Sequence, residues 1–436
     1  MFANSKVKSD CGRLIKIYRE SRYAQNKKKE YSCSDFILST KENPFFEIAE
    51  NEPVCSRATL NRLERGQVIK DEDLYSFFIR KLGYDGEDHP GITGSVNVFS
   101  DTLYEAVNEY NVEKMERLEL ELEEIFEGIK DSFYYGDVYR LIKVILNYYL
   151  RAETPVQEEV DFIYSIRFIL NENIRQLLLN MLFYYYYFLK GKVQICGVIK
   201  EEMDQAGEYR YITAANRSTW MMYKELWMDA LQLIDEGIEF YEKKNVPFYL
   251  ASLYFMKALG LHTGNKENVQ YYFEKSIMAF RESKGTLAQI RLVKNYFNIG
   301  FCYYSNKDYE TALKYFKTYL TYNPPFTLHI LYIMHCKSML NNTELDTMLK
   351  NIRQHDKSRN TFFNIFYRFF RMKMDNADPK ETEKFLMKDV LRILSSDFGY
   401  PNIIKYFEFE LNNLVIETKC YKDLILFKSK TSHKID

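Results

Sequence analysis

The segment Ser56-Arg-Ala-Thr-Leu-Asn-Arg-Leu-Glu-Arg-Gly66 holds the side chains whose types and spacing point most directly to chemistry. It reads as a short helix with both ends written, Ser56 as the N-cap and Gly66 just beyond the last turn. Leu60 and Leu63 share one face, which leaves Arg57, Ala58, Asn61 and Arg62 near the N-terminal, outward side. An arginine fork can bond guanine O6 and N7 in a major groove, so outward forks on a capped helix suit duplex reading. Lys27-Lys28-Lys29 adds positive charge of the kind that meets phosphates. Catalytic constellations are missing. No Gly-rich phosphate loop, HExxH, nucleophile elbow or metal-spaced Cys/His cluster occurs, and His329 and His335 do not share a helical face. The sequence points away from an enzyme and asks for neither cofactor nor metal.

The elements that must position these groups read as helices throughout. Only 9 prolines and 17 glycines interrupt 436 residues, and 46% of the chain is hydrophobic, enough for a large core. The densest breaker cluster, Gly86–Ser95, predicts a linker over 86–100, with a small domain at 1–85 before it and a long one at 101–436 after it. Charge shifts at the same place: residues 1–84 carry a net +4 and the remainder a net −5, hidden in a total of −1. A basic small domain is compatible with a duplex-binding head. Within it, Leu14, Ile15 and Tyr18 give the stretch Gly12–Arg22 one apolar helical face. Phe36-Ile37 after Ser34-Asp35 predicts a second short helix, and Asp71–Leu82 a further one ended by Gly83. No apolar run approaches the ~18–20 residues of a membrane helix. The start, Met1–Arg13, lacks an apolar signal core. Seven cysteines without a CxxC pair suit reduced thiols, so a cytoplasmic protein is expected.

The head resembles the Cro/repressor-type (XRE) helix-turn-helix family. Ser56, Leu60, Leu63, Glu64 and Gly66 fall on that family's recognition-helix positions, and Arg19 and Glu64 on its pair between the first and third helices. The resemblance implies that Arg57, Ala58 and Arg62 face base edges, that Thr59 and Asn61 lie nearer the backbone, and that Lys27 and Lys28 approach phosphates. Two departures stand out. Cys33 occupies the place of the family's Gln, and an insertion over 38–54 replaces a tight turn.

From about Asp101 the chain alternates helical stretches with short breaks. The clearest unit runs from Tyr296 through Gly300, Tyr303, Ala312 and Phe316 to Pro324 and resembles the tetratricopeptide (TPR) pattern. Trp227 and Ala230 repeat it, as do Val269 and Phe273, at offsets of 39 and 43 residues. Tyr184–Met203 and Asn360–Leu394 read as further units, and Tyr400–Phe427 as a closing cap. The aromatic content, 37 Tyr and 32 Phe, is then mostly packing between helical pairs. A TPR groove is lined by first helices, which would turn Lys294, Asn298, Phe301 and Tyr304 inward. Asn216, with Arg217 beside it, is the equivalent of Asn298 in an earlier unit. An asparagine amide can bond an extended peptide's N–H and C=O whatever its sequence.

The expected fold is therefore all-α: an N-terminal helix-turn-helix domain followed by a TPR-like right-handed helical solenoid. That architecture resembles the RRNPP family of peptide-pheromone receptors. The resemblance implies a cytoplasmic transcriptional regulator of quorum sensing, as a rule a homodimer. It would bind double-stranded DNA through its head and be switched by a short signalling peptide in the groove. A TPR adaptor that sequesters a protein partner, with a head not essential for DNA binding, is the alternative the same family offers.

Overall fold

A computed structural model describes residues 4–40, 44–84, 91–205, 207–261, 266–322, 332–333, 335–337, 339–340, 365, 368–369, 371–373, 375–395 and 401–431. Helices dominate, and among the described residues the sole extended pairing is one antiparallel bridge, Leu38 with Pro53. The chain falls into two compact units, 1–292 and 293–436, and the break lies inside a helix of the array.

Among the described residues the head has four α-helices: α1 (Ser5–Asn26), α2 (Cys33–Phe36), α3 (Arg57–Glu64) and α4 (Glu72–Lys81). Helix α1 is longer than its apolar face suggested, because Asn4 caps it, accepting from the Val7 N–H at 2.9 Å. Ser32, not Ser34 or Asp35, caps α2. Helix α3 begins and ends where its residues dictate. Ser56 Oγ accepts from the Thr59 N–H at 3.1 Å, and Gly66 takes the left-handed conformation, φ +78°, that favours glycine. Leu14, Ile15, Leu60, Leu63 and Phe78 are fully buried.

Helix α1 crosses α3 at Gly12, where a methyl group would collide with the Leu63 carbonyl oxygen. Helix propensity alone would make Gly12→Ala stabilising by about 1 kcal/mol. The clash is with backbone that cannot rotate away, so Gly12→Ala is expected to destabilise the head by roughly 1–3 kcal/mol or more. Thermal melts of the two proteins check the sign.

The insertion folds as a loop closed at its base. The Ser39 N–H donates to the Glu52 carbonyl at 2.8 Å and the Val54 N–H to the Ile37 carbonyl at 2.9 Å. Lys81 Nζ on α4 donates to the Asp35 and Leu38 carbonyls at 3.0 and 2.7 Å. Phe46 sits edge-on to Phe77 at 6.2 Å, so the loop rests on α4.

The array runs in helical pairs, α5 (Ile92–Asn108) with α6 (Val112–Ile125) and α9 (Glu172–Tyr184) with α10 (Val193–Asp204); between them α7 (Tyr135–Arg151) packs on α6 and α9, and α8 (Gln157–Ile166) on α1. Then come α11 (Ala214–Tyr223) with α12 (Trp227–Lys244), α13 (Pro247–Gly260) with α14 (Lys266–Glu282), and α15 (Thr286–Ser305) with α16 (Tyr309–Tyr322). Helix α5 starts inside the stretch expected to be linker. Its glycines fall at the start of the helix, where the first N–H groups lack helical partners and Gly costs least. Of the expected linker, residues 86–90 lie outside the described residues, as do Pro324, His329, Tyr400 and part of Asn360–Leu394.

Within the first unit the head is docked on the repeats. Tyr18 Oη donates to both Asp137 carboxylate oxygens, at 2.9 and 3.1 Å, and its ring packs on Phe133 and Phe162. The Arg13 guanidinium stacks 3.5 Å above Phe168. Burial raises the Asp137 carboxyl to about 6, against the pull of the Tyr18 hydroxyl. A carboxyl that holds its proton more tightly when folded favours the folded state below pH ~4, and that contribution is lost as pH rises through about 6. Asp137→Asn keeps an acceptor for Tyr18 without the charge. The variant should match the parent in melting temperature near pH ~4 and exceed it progressively as pH rises to about 6.

In the second unit the clear repeat is built as its spacing required. A methyl group at Gly300 would lie 2.7 and 2.8 Å from Phe316 ring carbons, so glycine here lets α15 and α16 touch. Ala312 and Phe316 are fully buried. Tyr303 stacks on Tyr315 at 5.7 Å across the two helices and packs, half-buried, against the same core. Helices Pro379–Phe385, Pro401–Thr418 and Tyr421–Thr431 close the unit around Leu386, Phe407, Leu411 and Phe427.

Candidate nucleic-acid and peptide interfaces

Helix α3 is fixed from behind by a fully formed ion pair. Arg19 Nε and Nη2 donate to Glu64 Oε1 and Oε2 at 2.6 and 3.0 Å, and Arg19 Nη1 donates to the Tyr31 carbonyl at 3.1 Å. Both partners are only 5% exposed. A bidentate pair of this kind fixes the rotation of α3 about its own axis as well as its position. With Leu60 and Leu63 buried, Arg57, Ala58, Asn61 and Arg62 are exposed together on the opposite face, while Thr59 is half-buried beside the cap. The Thr59 hydroxyl also lies 3.0 Å from Ser56 Oγ, so it helps hold the first turn. Arg62 Nε donates to Gln67 Oε1 at 3.1 Å, an exposed bond that leaves its outer nitrogens outward. Arg65 is exposed on the same helix end and was missed by sequence reasoning, although its place next to Glu64 marks it as an outward residue.

Lys27 and Lys28 are exposed at the end of α1, where Lys27 takes a left-handed conformation that ends the helix and Lys28 lies 3.8 Å from Glu30. The exposed residues of the insertion include Glu47, Glu50 and Glu52. The loop between α2 and α3 therefore adds negative charge to a head whose α3 face is positive.

The residues expected to meet a peptide lie in both units. In the first, Asn216 on α11 is half-buried and donates through Nδ2 to the Asn180 side-chain oxygen at 2.7 Å and the Asn180 carbonyl at 3.0 Å. Asn180 on α9 in turn donates to Tyr149 Oη at 3.1 Å. Asn180 precedes Asn216 by 36 residues, close to one repeat, and that spacing is the signal by which sequence reasoning could have found it. Arg217 corrects an expectation. It is 9% exposed and grips Asp204 Oδ1 through Nε at 2.9 Å and Nη2 at 2.8 Å, which ties α11 to α10 and takes the guanidinium off any open face.

In the second unit, Lys294 and Asn298 are exposed on α15. Phe301 and Tyr304 are half-buried against the unit's core, which again departs from an open groove wall. Phe301 meets Tyr332 edge-on at 5.3 Å, and Tyr304 packs on Tyr332 at 5.0 Å and shares a hydrogen bond with His335 Nδ1. Burial lowers His335 to about 4, so its imidazole is neutral. The cover comes from Tyr332 and His335, whose approach no local pattern around 301 and 304 encodes.

Among the described residues no cluster of His, Cys, Asp or Glu could hold a metal, and no helix is long and apolar enough to cross a membrane.

No family model and no curated protein matches the sequence. Solved structures do. The apo form of the quorum sensor NprR from B. thuringiensis aligns over 79% of this chain and 99% of its own, at TM-score 0.57 and 16% identity. A Rap protein complexed with Competence and Sporulation Factor aligns over 78% of this chain and 97% of its own, at TM-score 0.53 and 13% identity. Likeness at such low identity speaks to the path of the backbone. The chain thus has the all-helical repeat fold that NprR and Rap share, the fold its resemblance to the RRNPP receptors implied.

Proposed function

We propose that the chain is a DNA-binding transcriptional regulator switched by a short signalling peptide held on the inner face of its repeats. The observation that carries the DNA half is the exposed face of Arg57, Ala58, Asn61 and Arg62 on a helix whose rotation is set by the buried Arg19–Glu64 pair. Base-reading needs side chains held at a defined angle, and an ion pair behind the helix supplies that angle. The peptide half is supported by the amide strip of Asn180 and Asn216 and by the exposed Asn298. A peptide moves the equilibrium between two shapes only as far as its affinities for them differ. In this reading the protein works as a homodimer in the cytoplasm, with two heads on half-sites spaced by whole helical turns.

The test is a mobility-shift assay with DNA from upstream of the protein's own gene, alone and with peptides encoded in neighbouring reading frames. A shift that Arg57→Ala with Arg62→Ala removes, and that a peptide modulates, supports the reading. The alternative, an adaptor that sequesters a protein, is favoured by one feature: the acidic loop with Glu47, Glu50 and Glu52 between a four-residue α2 and α3. Under it no upstream DNA is retarded and the double variant keeps its function.

A further inference from the structure

Two chain reversals of the first unit carry large apolar side chains into solvent. The turn from α9 to α10 exposes Phe188 and Leu189, and the turn from α11 to α12 exposes Tyr223, Leu226, Trp227 and Met228, the last at 78%. The two turns adjoin, since the Tyr187 ring, next to Phe188, meets the Tyr223 ring edge-on at 6.5 Å. Both join a first helix to its second helix, so both stand on the same edge of the stacked pairs. Single exposed apolar residues are ordinary, whereas a contiguous set marks a surface that is covered when the protein works.

The local backbone is shaped for this exposure. Helix α9 continues into a π turn over Tyr185–Leu189, a rare winding that recurs at functional sites. It keeps Tyr185 and Tyr186 buried while Phe188 and Leu189 face out. Gly191 at φ +64° and Glu225 at φ +61° then reverse the chain tightly. Lysines rim the patch. Lys190 lies 5.6 Å over the Tyr185 ring, Lys192 5.8 Å over Tyr186, and Lys224 5.5 Å over Tyr223. All three are exposed, and among the described residues none has a carboxylate partner. Glu225 and Asp229 are the acidic groups of the second turn, and Asp229 sits in the first turn of α12, where the helix N-terminus offsets its charge.

The apolar groups stand on the tips of turns and not in a groove, so a partner need not match their shape. A fluid bilayer surface is such a partner. Trp and Tyr favour the boundary between headgroups and acyl chains, and lysine stems follow them while the ammonium groups stay among anionic headgroups. We infer that this edge of the array docks on a membrane surface that carries anionic lipids. Phe188, Leu226, Trp227 and Met228 enter the headgroup boundary, and Lys190, Lys192 and Lys224 meet the headgroups. The docking is peripheral, in keeping with helices too short or too polar to cross a bilayer among the described residues. It stands apart from the DNA and peptide readings, since it uses neither α3 nor the Asn180–Asn216 strip.

The experiment uses the full chain and vesicles of phosphatidylcholine alone or of phosphatidylcholine and phosphatidylglycerol in equal parts. Cosedimentation gives the partition coefficient. Tryptophan emission reports insertion, because Trp220 and Trp227 are the only tryptophans and Trp220 is half-buried between Lys200 and Lys224. The expected result is partitioning onto the anionic vesicles that exceeds that onto neutral ones by about tenfold or more. A blue shift of emission accompanies it and persists in Trp220→Phe, where Trp227 is the sole reporter. Lys190→Gln with Lys192→Gln and Lys224→Gln lowers the partition coefficient by about tenfold to hundredfold. Phe188→Ser with Leu226→Ser and Met228→Ser lowers it by about tenfold or more and abolishes the shift. All these side chains are exposed, so thermal melts of the variants should match the parent. No binding to the anionic vesicles, or binding that survives both sets of substitutions, overturns the inference. So does a lipid-free protein whose association state falls in the serine variant by light scattering, since the patch would then be covered by protein.

Discussion

Replacing Arg57 and Arg62 together with alanine is expected to abolish retardation of the protein's target duplex while leaving the melting temperature unchanged. Both side chains are exposed, and neither buttresses α3, whose inner face is Leu60, Leu63 and Glu64. Each arginine fork on guanine contributes ~1–3 kcal/mol of discrimination. The pair is therefore worth roughly 2–6 kcal/mol, a loss of about 30-fold to 20,000-fold, enough to bring specific binding down to the non-specific level. Lys27→Ala with Lys28→Ala provides the contrast. Those residues are placed for phosphates, so their loss should weaken all sequences alike and flatten the slope of log affinity against log salt by about two. Titrations of specific and scrambled duplexes at several salt concentrations separate the two outcomes. If the arginine variant binds its target as the parent does, the α3 face is not the reading surface.

How much of this was legible beforehand follows the range of the forces. Helix α3 could be read residue by residue because everything that defines it is local: a hydroxyl cap, two leucines three apart, and a glycine free to take φ +78°. The Arg19–Glu64 pair spans 45 residues and was still readable, because the family resemblance supplied the partner. Gly300 against Phe316 was readable from repeat spacing. What escaped was set by distant chain. Nothing near Arg217 announces Asp204 as its partner, and nothing near Tyr304 announces Tyr332 and His335. The expected linker failed for another reason. Breaker residues mark either a loop or a helix start, and only the apolar face of Phe99, Leu103, Ala106 and Val107 decides that α5 has begun.

The docking of the head on the repeats adds a constraint on any switch. Tyr18 on Asp137 and Arg13 on Phe168 fasten α1 to the array inside one compact unit. A head so fastened moves with the repeats that carry it, so a peptide need not reach α3 to change where α3 points. A change in the relation between two protomers would be enough, since paired recognition helices tolerate only spacings of whole turns.

The second large effect concerns the pair that gives α3 its angle. Arg19→Ala or Glu64→Ala alone should each destabilise the head by about 3–5 kcal/mol, because each leaves a charge buried without its partner. In Glu64→Ala the guanidinium keeps the Tyr31 carbonyl and the exposed Glu20 carboxylate at 3.5 Å but loses both buried carboxylate oxygens, and in Arg19→Ala the Tyr31 carbonyl loses its donor as well. The double variant Arg19→Met with Glu64→Leu replaces both charges with apolar groups of similar length. It should recover most of that stability, since a hydrophobic pair can equal a buried ion pair once neither charge is stranded. Stability and reading then come apart. A Met–Leu contact has no preferred direction, whereas the two parallel bonds of the fork do. The double variant should therefore melt near the parent while binding its target duplex more weakly, with non-specific binding unchanged. Denaturant titration and duplex titration on the same samples check this. A single variant that costs under about 1 kcal/mol, as an exposed pair would, contradicts the role given to Arg19 and Glu64.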